Sequence, residues 1–515
     1  MTDTPTPATN PGDPDGAAPT PRAEHKEPTA ELPPPTKNVS PFRAGLVVMA
    51  AFVGLFLVVR TAALEPFGVP TGSMSPALSG HHRDGFCPRC GATARVGRPS
   101  SGSETEHFLK VLCWNCEQTL SLAAARELSG DRLLVDKNVY DLRAPRRWEM
   151  VVFRCPNPKR SEFGKPYVKR LVGLPGEVIT IRDGDVYAND VLVRKGLAEL
   201  RETLVPVFDM NFAPKPDGWS ARWLVEPGDP RLPHGASAAS GPVIEDGALV
   251  LDASDGPQAV AAVRYRHWNL DARDSEPVRV WNAYNGYPIR RDREPAAHDF
   301  YLTCEVEVAA AVGAPGDAAF ECRLSDGADV VTAELGVGAR GAGQARLVQE
   351  GRGGLGIAGG VSLTPGNKHR LEFAFVDRRV TLALDGRMVI PPADLDPVGK
   401  PRSPESRPVR RIAARGCKVI VRDLKLSRDI HYTTTDERDH GSRPARLGRH
   451  EYFVLGDNTQ SSEDSRKWPN PGVPEDAFIG KPFLIHQPLR LSRVSVGGRD
   501  HVFQSLDWSR LRWLH

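Results

Sequence analysis

The stretch YVKRLVGLPGE, residues 167–177, places a lysine and an arginine inside an apolar run that ends in a Leu-Pro-Gly turn. The valines and leucines predict a buried strand, and the apolar residues 178–181 predict a second strand that returns along the first. Because charged strand residues usually face solvent, one interpretation of Lys169 is an ordinary edge-strand lysine. The other is a lysine held where water is scarce, and burial lowers the pKa of an ammonium group towards the range of a general base.

A buried lysine becomes informative when the chain also offers a nucleophile. The stretch GVPTGSMSPAL, residues 68–78, presents Ser73 on a Pro-Thr-Gly turn beside Met74, which we expect to be exposed at a membrane surface. A serine hydroxyl is a weak nucleophile near neutral pH and needs an adjacent base. A lysine with a lowered pKa supplies that base without any histidine, so Ser73 and Lys169 are a candidate catalytic pair.

A third stretch, YFVLGDNTQSSEDSR at residues 452–466, has the character of a supporting loop. An apolar strand runs into a Gly-Asp-Asn turn, and Asp and Asn side chains in turns bond their own backbone. The Ser, Asp and Arg residues that follow suit a rigid hydrogen-bonded network. Taken alone, this stretch is typical of a surface turn with an ion pair.

Together the three stretches, in this order and after an apolar segment, resemble the type I signal peptidase family of membrane-bound Ser/Lys endopeptidases. The resemblance implies a largely β catalytic domain with Ser73 as nucleophile and Lys169 as general base. It also implies an oxyanion hole formed by the Ser73 N–H and the Thr71 hydroxyl, and Ser462 as the residue that orients the lysine. The positions that it assigns to supporting roles are Met74, Gly456, Asp457, Asn458, Ser462, Asp464 and Arg466.

Substrates and cofactors follow from the same resemblance. It implies exported preproteins as substrates, cut after small residues such as those of an Ala-x-Ala site, and no cofactor for catalysis. Two positions depart from the family: Thr71 stands where serine is usual, and Thr459 stands where arginine is frequent. The first change retains a hydroxyl, and the second leaves the motif set intact.

The apolar segment itself occupies residues 44–64. Apart from Arg60, whose stem can snorkel, it supplies the ~20 apolar residues that a transmembrane helix requires. A cleaved signal peptide or a buried core helix is the alternative, but the polar, proline-rich leader over residues 1–43 is too long for a signal-peptide n-region and predicts a disordered tail. Basic residues flank both ends, so charge alone does not orient the segment.

The resemblance, rather than charge, implies the location of the protein. A single-pass protein of the cytoplasmic (inner) membrane is expected, with its catalytic domain on the trans side and its surface against the lipid bilayer. The segment argues against one alternative function, a Ser/Lys regulatory protease that cuts itself or one partner. The other alternative is a glycan-binding envelope protein with a degenerate protease core, and the intact Ser73 and Lys169 argue against it.

Two C-x₂-C pairs interrupt the peptidase-like sequence. Cys87 and Cys90 form the first, Cys113 and Cys116 the second, and 22 residues lie between them. Four thiolates in two such turns are the pattern of a tetrahedral zinc site, so a zinc ribbon is predicted over residues 85–130, with two disulfides as the alternative. Four cysteine ligands leave no open position for water, which predicts a structural rather than a catalytic role.

A second insertion, residues 205–427, alternates apolar and polar side chains in many short stretches bounded by Gly and Pro, which predicts a β-sandwich. Its pattern resembles the concanavalin-type jelly rolls of lectins and glycan-processing proteins. Trp268, Trp281 and Tyr284 either stack on a glycan or belong to the core. Cys304 and Cys322 are candidates for a cross-strand disulfide.

Length and charge bound these interpretations. A chain of 515 residues exceeds the ~250–300 residues at which single cores stop growing, so several domains are expected. A net charge of +3 gives no global basic field, and we expect no nucleic-acid partner. The predicted fold is mainly β, organised as a disordered tail (1–43), a transmembrane helix (44–64), a catalytic domain (65–84, 131–204 and 428–515), a zinc ribbon (85–130) and a β-sandwich (205–427).

Overall fold

Strands dominate the computed structural model of the chain, as the sequence predicts. The chain divides into two units, Met1–Leu57 and Val58–His515. The residues that the structure describes are 40–98, 109–215, 218–226, 243–245, 247–286, 294–313, 316–399, 409–434, 436–497 and 499–514. The predicted disordered tail lies almost entirely outside them.

Among the described residues, the longest helix is Pro41–Ala62. Its described part exposes large apolar side chains, including Phe42, Phe52 and Leu55. Within the described ranges, no helix meets the combined length and hydropathy that crossing a membrane demands. The anchor over residues 44–64 stays a prediction.

An antiparallel eight-stranded sheet carries the peptidase-like motifs. The strand Pro166–Gly173 lies near its middle, between Met150–Arg154 and Glu451–Leu455, so two of the motif stretches are hydrogen-bonded neighbours. Their apolar side chains, among them Leu171 and Val454, are fully buried. In spatial order the strands are Leu64–Gly68, Arg132–Asp136, Phe478–Ile485, Met150–Arg154, Pro166–Gly173, Glu451–Leu455 and Val473–Pro474, with Arg512–Trp513 beside Phe478–Ile485.

The predicted return of the strand after the Leu-Pro-Gly turn is wrong in its pairing. Residues Val178–Arg182 do form a strand, but it joins a separate four-stranded sheet with Asp185–Ala188, Val191–Leu192 and Ala445–Arg446. Gly176 has a φ of +78° and its N–H bonds to the Gly448 carbonyl, so the turn directs the chain towards residues 445–448 rather than back along the first strand.

Two large sheets make up the predicted sandwich, and their inner faces share one buried core. Phe300 and Phe373 contribute to this core from one sheet, and Phe320 and Ile412 from the other. One sheet contains Val205–Asp209, Val243–Glu245, Ala248–Asp252, Phe300–Ala311, Lys368–Val376, Arg379–Leu384, Arg387–Met388, Ala393–Asp394 and Cys417–Arg428. The other contains Trp223–Val225, Val260–Tyr265, Ala319–Ser325, Val330–Gly336, Gln344–Gln349, Gly353–Gly359 and Arg410–Arg415.

The proposed disulfide between Cys304 and Cys322 is wrong, because both are free, buried thiols. Cys304 lies in one sheet and Cys322 in the other, and both side chains point into the shared core. They act there as small apolar residues.

Small sheets and short helices complete the described chain. Around the paired cysteines, Thr93–Gly97, His82–Phe86 and Glu127–Leu128 form one sheet, and Lys110–Leu112 pairs with Thr119–Ser121. The other hairpins are Trp268–Asn269 with Asp274–Ser275 and Leu489–Val496 with Arg499–Leu506. Short helices are Val139–Leu142 and Leu197–Glu202, and 3₁₀ turns are Gly72–Met74, Ala283–Asn285, Thr459–Ser461 and Glu475–Ala477.

Candidate active site

Ser73 lies on the short 3₁₀ turn Gly72–Met74, shortly after the edge strand Leu64–Gly68. Its side chain is 9% exposed. The expectation that Met74 is exposed is wrong, because its side chain is completely buried and packs with Leu133 and other apolar residues of the sheet. Burying Met74 fixes the turn to the sheet, since a fully buried Met side chain is stabilised by roughly 1.5–3 kcal/mol.

Lys169 lies on the central strand Pro166–Gly173 and is 3% exposed. Its Nζ atom is 2.8 Å from the Oγ atom of Ser73 and 3.1 Å from the Val168 carbonyl oxygen. Its backbone pairs with Val151 of the strand Met150–Arg154, and its low exposure places the lysine in an environment poor in water. The edge-strand interpretation of Lys169 does not describe this position.

Burial changes the protonation of Lys169. Desolvation lowers its pKa to about 8, while the charges of Asp464 and Asp457 act in the opposite direction. Neutral lysine is therefore accessible near physiological pH, and a neutral amine 2.8 Å from the Ser73 oxygen can accept the hydroxyl proton. This is the state that a general base requires.

Arg170, the next residue on the strand, points to the opposite side of the sheet and is also fully buried. Its guanidinium donates to the two carboxylate oxygens of Asp457 over 2.8 and 2.7 Å, and to the Trp148 carbonyl over 2.8 Å. Burial alone would lower the pKa of Arg170, but the Asp457 carboxylate outweighs it and raises that pKa. This bidentate pair ties the strand of the lysine to the turn that follows Leu455.

The Gly-Asp-Asn turn contacts the serine turn directly. The backbone N–H of Asn458 donates to the Ser73 carbonyl over 3.0 Å, and its side-chain amide donates to the Gly72 carbonyl over 3.0 Å. Gly456 leaves no room for a side chain, because a Cβ atom there would collide with the Ser462 hydroxyl and lie 2.6 Å from the Ser73 carbonyl oxygen. The close approach of these two turns requires glycine at this position.

Asp464 and Arg466 stabilise the loop that begins at Gly456 through a buried ion pair and hydrogen bonds to its backbone. The Arg466 guanidinium donates to Asp464 over 2.9 and 2.7 Å, and to the Thr459 carbonyl over 3.0 Å. Asp464 in turn accepts from the Gly456 N–H over 3.0 Å. Burial opposes ionisation of Asp464, but the Arg466 charge outweighs it and keeps the pKa of this carboxyl below its usual range.

Two predicted site residues make fewer contacts than expected. Ser462 is 1% exposed, yet the lysine hydrogen bonds within the described residues go to Ser73 and Val168 rather than to Ser462. Thr71 is exposed in extended backbone next to Ser73 and makes no side-chain capping bond. The roles of Ser462 and Thr71 beside the candidate pair stay predictions.

The four paired cysteines converge, as their spacing predicts. Their sulfur atoms all lie within 4.8 Å of one another, and the Cys87–Cys116 and Cys90–Cys113 separations are 3.5 Å. Tetrahedral zinc with Zn–S distances of ~2.3 Å places its sulfurs ~3.8 Å apart, so the cluster fits such an ion. The cysteines are free, which excludes the two-disulfide alternative for this arrangement.

Sequence reasoning missed two features of the site. The Arg170–Asp457 pair joins two of the motif stretches, and its only local signal is the strand alternation that places Arg170 opposite Lys169. The second is a segment of the sandwich, Asn282–Asn285, which lies against the serine turn. Tyr284, which the sequence left between glycan stacking and core, is buried there.

Comparisons with known proteins point to one family. The family model "Signal peptidase, peptidase S26" matches residues 107–211 and 398–486, which include Lys169 and Asp464 but not Ser73. The probable signal peptidase I-2 of Synechocystis sp. is 42% identical over 61 residues, covering 12% of this chain and 28% of the relative. Signal peptidase I of Rickettsia prowazekii is 27% identical over 146 residues, covering 28% and 43% respectively.

A longer match is with signal peptidase I of Leptolyngbya laminosa, 25% identical over 175 residues, which covers 33% of this chain and 61% of the relative. The chain thus spans less than two thirds of the length of each of these relatives. Among solved structures, a carbohydrate-binding module from Bacillus subtilis overlaps 40% of this chain and 94% of its own at 11% identity, with a TM-score of 0.24. The Emp47p carbohydrate recognition domain overlaps 41% and 90% at 7% identity, with a TM-score of 0.26. Both scores are too low to assign a shared fold.

Proposed function

We propose that this chain is a serine endopeptidase of the signal peptidase type that removes signal peptides from exported preproteins. The observation that carries the proposal is the 2.8 Å separation of Lys169 Nζ and Ser73 Oγ in a buried site. The family match over the segments that contain Lys169 and Asp464 supports the same activity.

In the proposed mechanism, neutral Lys169 takes the proton of the Ser73 hydroxyl as its oxygen attacks the scissile carbonyl carbon. The N–H of Ser73 and the hydroxyl of Thr71 donate to the developing oxyanion. Collapse breaks the peptide C–N bond, and the Lys169 ammonium returns the proton to the leaving amine. A water molecule that Lys169 deprotonates then cleaves the Ser73 ester and frees the serine.

Catalysis in this scheme needs no cofactor. We propose a zinc ion only as a structural component, bound away from the Ser73–Lys169 pair. We assign Cys87, Cys90, Cys113 and Cys116 as its ligands, because their sulfurs have the mutual spacing of a tetrahedral thiolate site. A bound ion would hold the small sheets of residues 82–128 together, since these offer little other core.

Membrane attachment through residues 44–64 is part of the proposal. It is supported by the exposure of Phe42, Phe52 and Leu55 on the helix Pro41–Ala62, because several large exposed apolar side chains on one helix favour contact with lipid. A cytoplasmic-membrane location with the catalytic unit on the trans side follows from the signal peptidase resemblance. Glycan binding by the sandwich stays a prediction from the sequence.

The test is cleavage of a preprotein by the full-length chain in detergent, with the product mass located to the residue. The matched control substrate differs only by a large aromatic residue in place of the small residue before the cut. The proposal predicts one cut after the small residue and no cut in the control. A folded protein that cleaves neither substrate, or both at unrelated positions, contradicts it.

A further inference from the structure

The turn Ala283–Asn285 belongs to the region between Lys169 and Gly456 that the signal peptidase motifs leave out, yet it lies against the serine turn. The side-chain amide of Asn282 donates to the Ser75 carbonyl over 3.0 Å. The hydroxyl of Tyr284 donates to the His81 carbonyl over 3.2 Å. Both bonds go to backbone on the C-terminal side of Ser73.

Tyr284 fills the space next to the residue that precedes the nucleophile. A Cβ atom at Gly72 would overlap the Tyr284 ring and lie 2.7 Å from its Cδ1 atom. A Cβ atom at Gly97 would meet the same ring. The ring is 5% exposed and is therefore packed between the serine turn and the strand Thr93–Gly97, where it limits movement of Gly72.

Asn285 contacts Asn458, which in turn binds the other side of the serine turn. Its side-chain amide donates to Asn458 Oδ1 over 2.8 Å, and the Asn458 amide donates back to Asn285 Oδ1 over 2.7 Å. Asn458 is 1% exposed and holds the Gly72 and Ser73 carbonyls. The reciprocal amide pair fixes the rotamer of Asn458, because both of its terminal atoms are then bonded.

The sandwich anchors this turn through Arg428, at the end of the strand Cys417–Arg428. The guanidinium of Arg428 donates to the Trp281 carbonyl over 2.9 Å and to the Asp429 carbonyl over 2.8 Å. The arginine is 4% exposed, and burial lowers its pKa to about 10. A buried cation bonded to backbone carbonyls is costly to displace, so the position of Trp281, and of the turn after it, follows the sandwich strand.

We infer that Asn282, Tyr284 and Asn285 are positioning residues for Ser73, so that the sandwich completes the peptidase site. This inference rests on the proposed function. It gives the sandwich a role that needs no ligand, and it predicts that the serine turn loosens when the turn Ala283–Asn285 is altered. Misplacing a reacting group by ~1 Å can reduce the rate by roughly 10²-fold.

The experiment compares full-length Asn285→Ala and Tyr284→Ala with wild type, using Asn269→Ala as matched control. Asn269 is a buried asparagine of the same region, and its side chain bonds to Glu276 and to the backbone of Asp271 rather than to the peptidase. Two readouts are taken: kcat and KM for preprotein cleavage, and hydrogen–deuterium exchange of peptides spanning residues 70–80. The exchange readout does not depend on activity.

The inference predicts that both variants lose about tenfold or more in kcat with KM little changed, and exchange faster at residues 70–80. The control should leave both readouts at wild-type values. Asn285→Asp keeps the side-chain size but replaces the amide that donates to Asn458 Oδ1 and to Gln460 Oε1 with a carboxylate oxygen. If Asn285→Ala does not fold, this variant should change both readouts in the same direction. Asn285→Ala combined with Asn458→Ala should be less than additive, because the two residues act through one contact.

Unchanged exchange at residues 70–80 together with an unchanged kcat in the Asn285 and Tyr284 variants overturns the inference. The same holds if the Asn269→Ala control shows equal losses, because the effect is then general destabilisation. If wild type cleaves no preprotein but exchange responds as predicted, the contact stands and the proposed function fails.

Discussion

The Nζ atom of Lys169 lies 2.8 Å from the Oγ atom of Ser73, although the two residues are 96 positions apart in the chain. The lysine is buried within the central strand, and the serine is held on a turn fastened to the same sheet by Met74. Arg170 binds Asp457 and so ties the lysine strand to the next turn, while Asn458 binds the Gly72 carbonyl and so holds the serine turn. Lys169 and Ser73 therefore have little freedom to separate. This preorganisation is the basis of the predictions that follow.

Activity should rise with pH. The base must be neutral, and burial lowers the pKa of Lys169 to about 8, so kcat/KM should increase with pH and level off above that value. Lys169→Arg should be inactive at every pH, because a guanidinium stays charged. The measurement is a pH–rate profile with Lys165→Arg, an exposed lysine of the same hairpin, as control. A profile that falls with rising pH, or an active Lys169→Arg, contradicts the assignment.

The free energy of unfolding should also depend on pH through Lys169. The pKa of Lys169 is lowered from 10.5 to about 8 on folding, so between these values the unfolded state binds more protons and the free energy of unfolding rises with pH. Lys169→Met has no titrating group at this position. The difference in free energy of unfolding between variant and wild type should therefore change by about 3 kcal/mol between about pH 7 and pH 11. Urea unfolding of both proteins measures it. Parallel pH dependences would show that the lysine is not perturbed.

Removing the counter-ion of Arg170 should be costly. Asp457→Asn removes the bidentate carboxylate of the fully buried Arg170 guanidinium and leaves it only the Glu202 carboxylate, 3.4 Å away. Removing one partner of a buried ion pair typically destabilises a protein by about 3–5 kcal/mol. Asp190→Asn is the matched control, because its pair with Arg182 is exposed and such pairs contribute about 0–1 kcal/mol. Urea unfolding compares the two. Equal small effects would mean that the buried pair does not hold the strand to the turn.

The paired cysteines should bind about one zinc ion per chain. Elemental analysis of purified protein should find this ion, and Cys113→Ser should lose it. Cys155→Ser is the control, because Cys155 is buried but lies outside the cluster. Chelation should speed hydrogen exchange within residues 82–128, whose sheets pack around the cysteines. Zinc-free wild type with a well-ordered ribbon would contradict the proposed metal site.

Local patterns predicted the strands and turns that carry the motifs. The apolar run around Lys169 predicted a buried strand, and the alternating stretches between residues 300 and 428 predicted a sandwich. Both predictions succeeded because the alternation of apolar and polar side chains is a property of neighbouring residues. The order of three short motifs gave the candidate pair. Amino-acid composition alone does not predict that Ser73 and Lys169 lie close together.

Errors arose where long-range packing decides the outcome. Met74 was expected to be exposed at a membrane surface, but it packs in the core beneath the sheet. The strand Val178–Arg182 was expected to pair with the strand before it, but it pairs with the following strand Asp185–Ala188 and, on its other side, with Ala445 and Arg446 from far along the chain. The contact of Asn285 with Asn458 joins positions 173 apart, and no local pattern marks it.

The most direct test is cleavage of one preprotein with an Ala-x-Ala site by wild type, Ser73→Ala and Lys169→Ala, each shown to be folded. Ser461→Ala and Lys165→Ala serve as controls, because both side chains are exposed. The account predicts cleavage after the small residue by wild type and both controls, and none by the Ser73 and Lys169 variants. Cleavage that persists in Ser73→Ala or in Lys169→Ala would contradict the Ser/Lys mechanism.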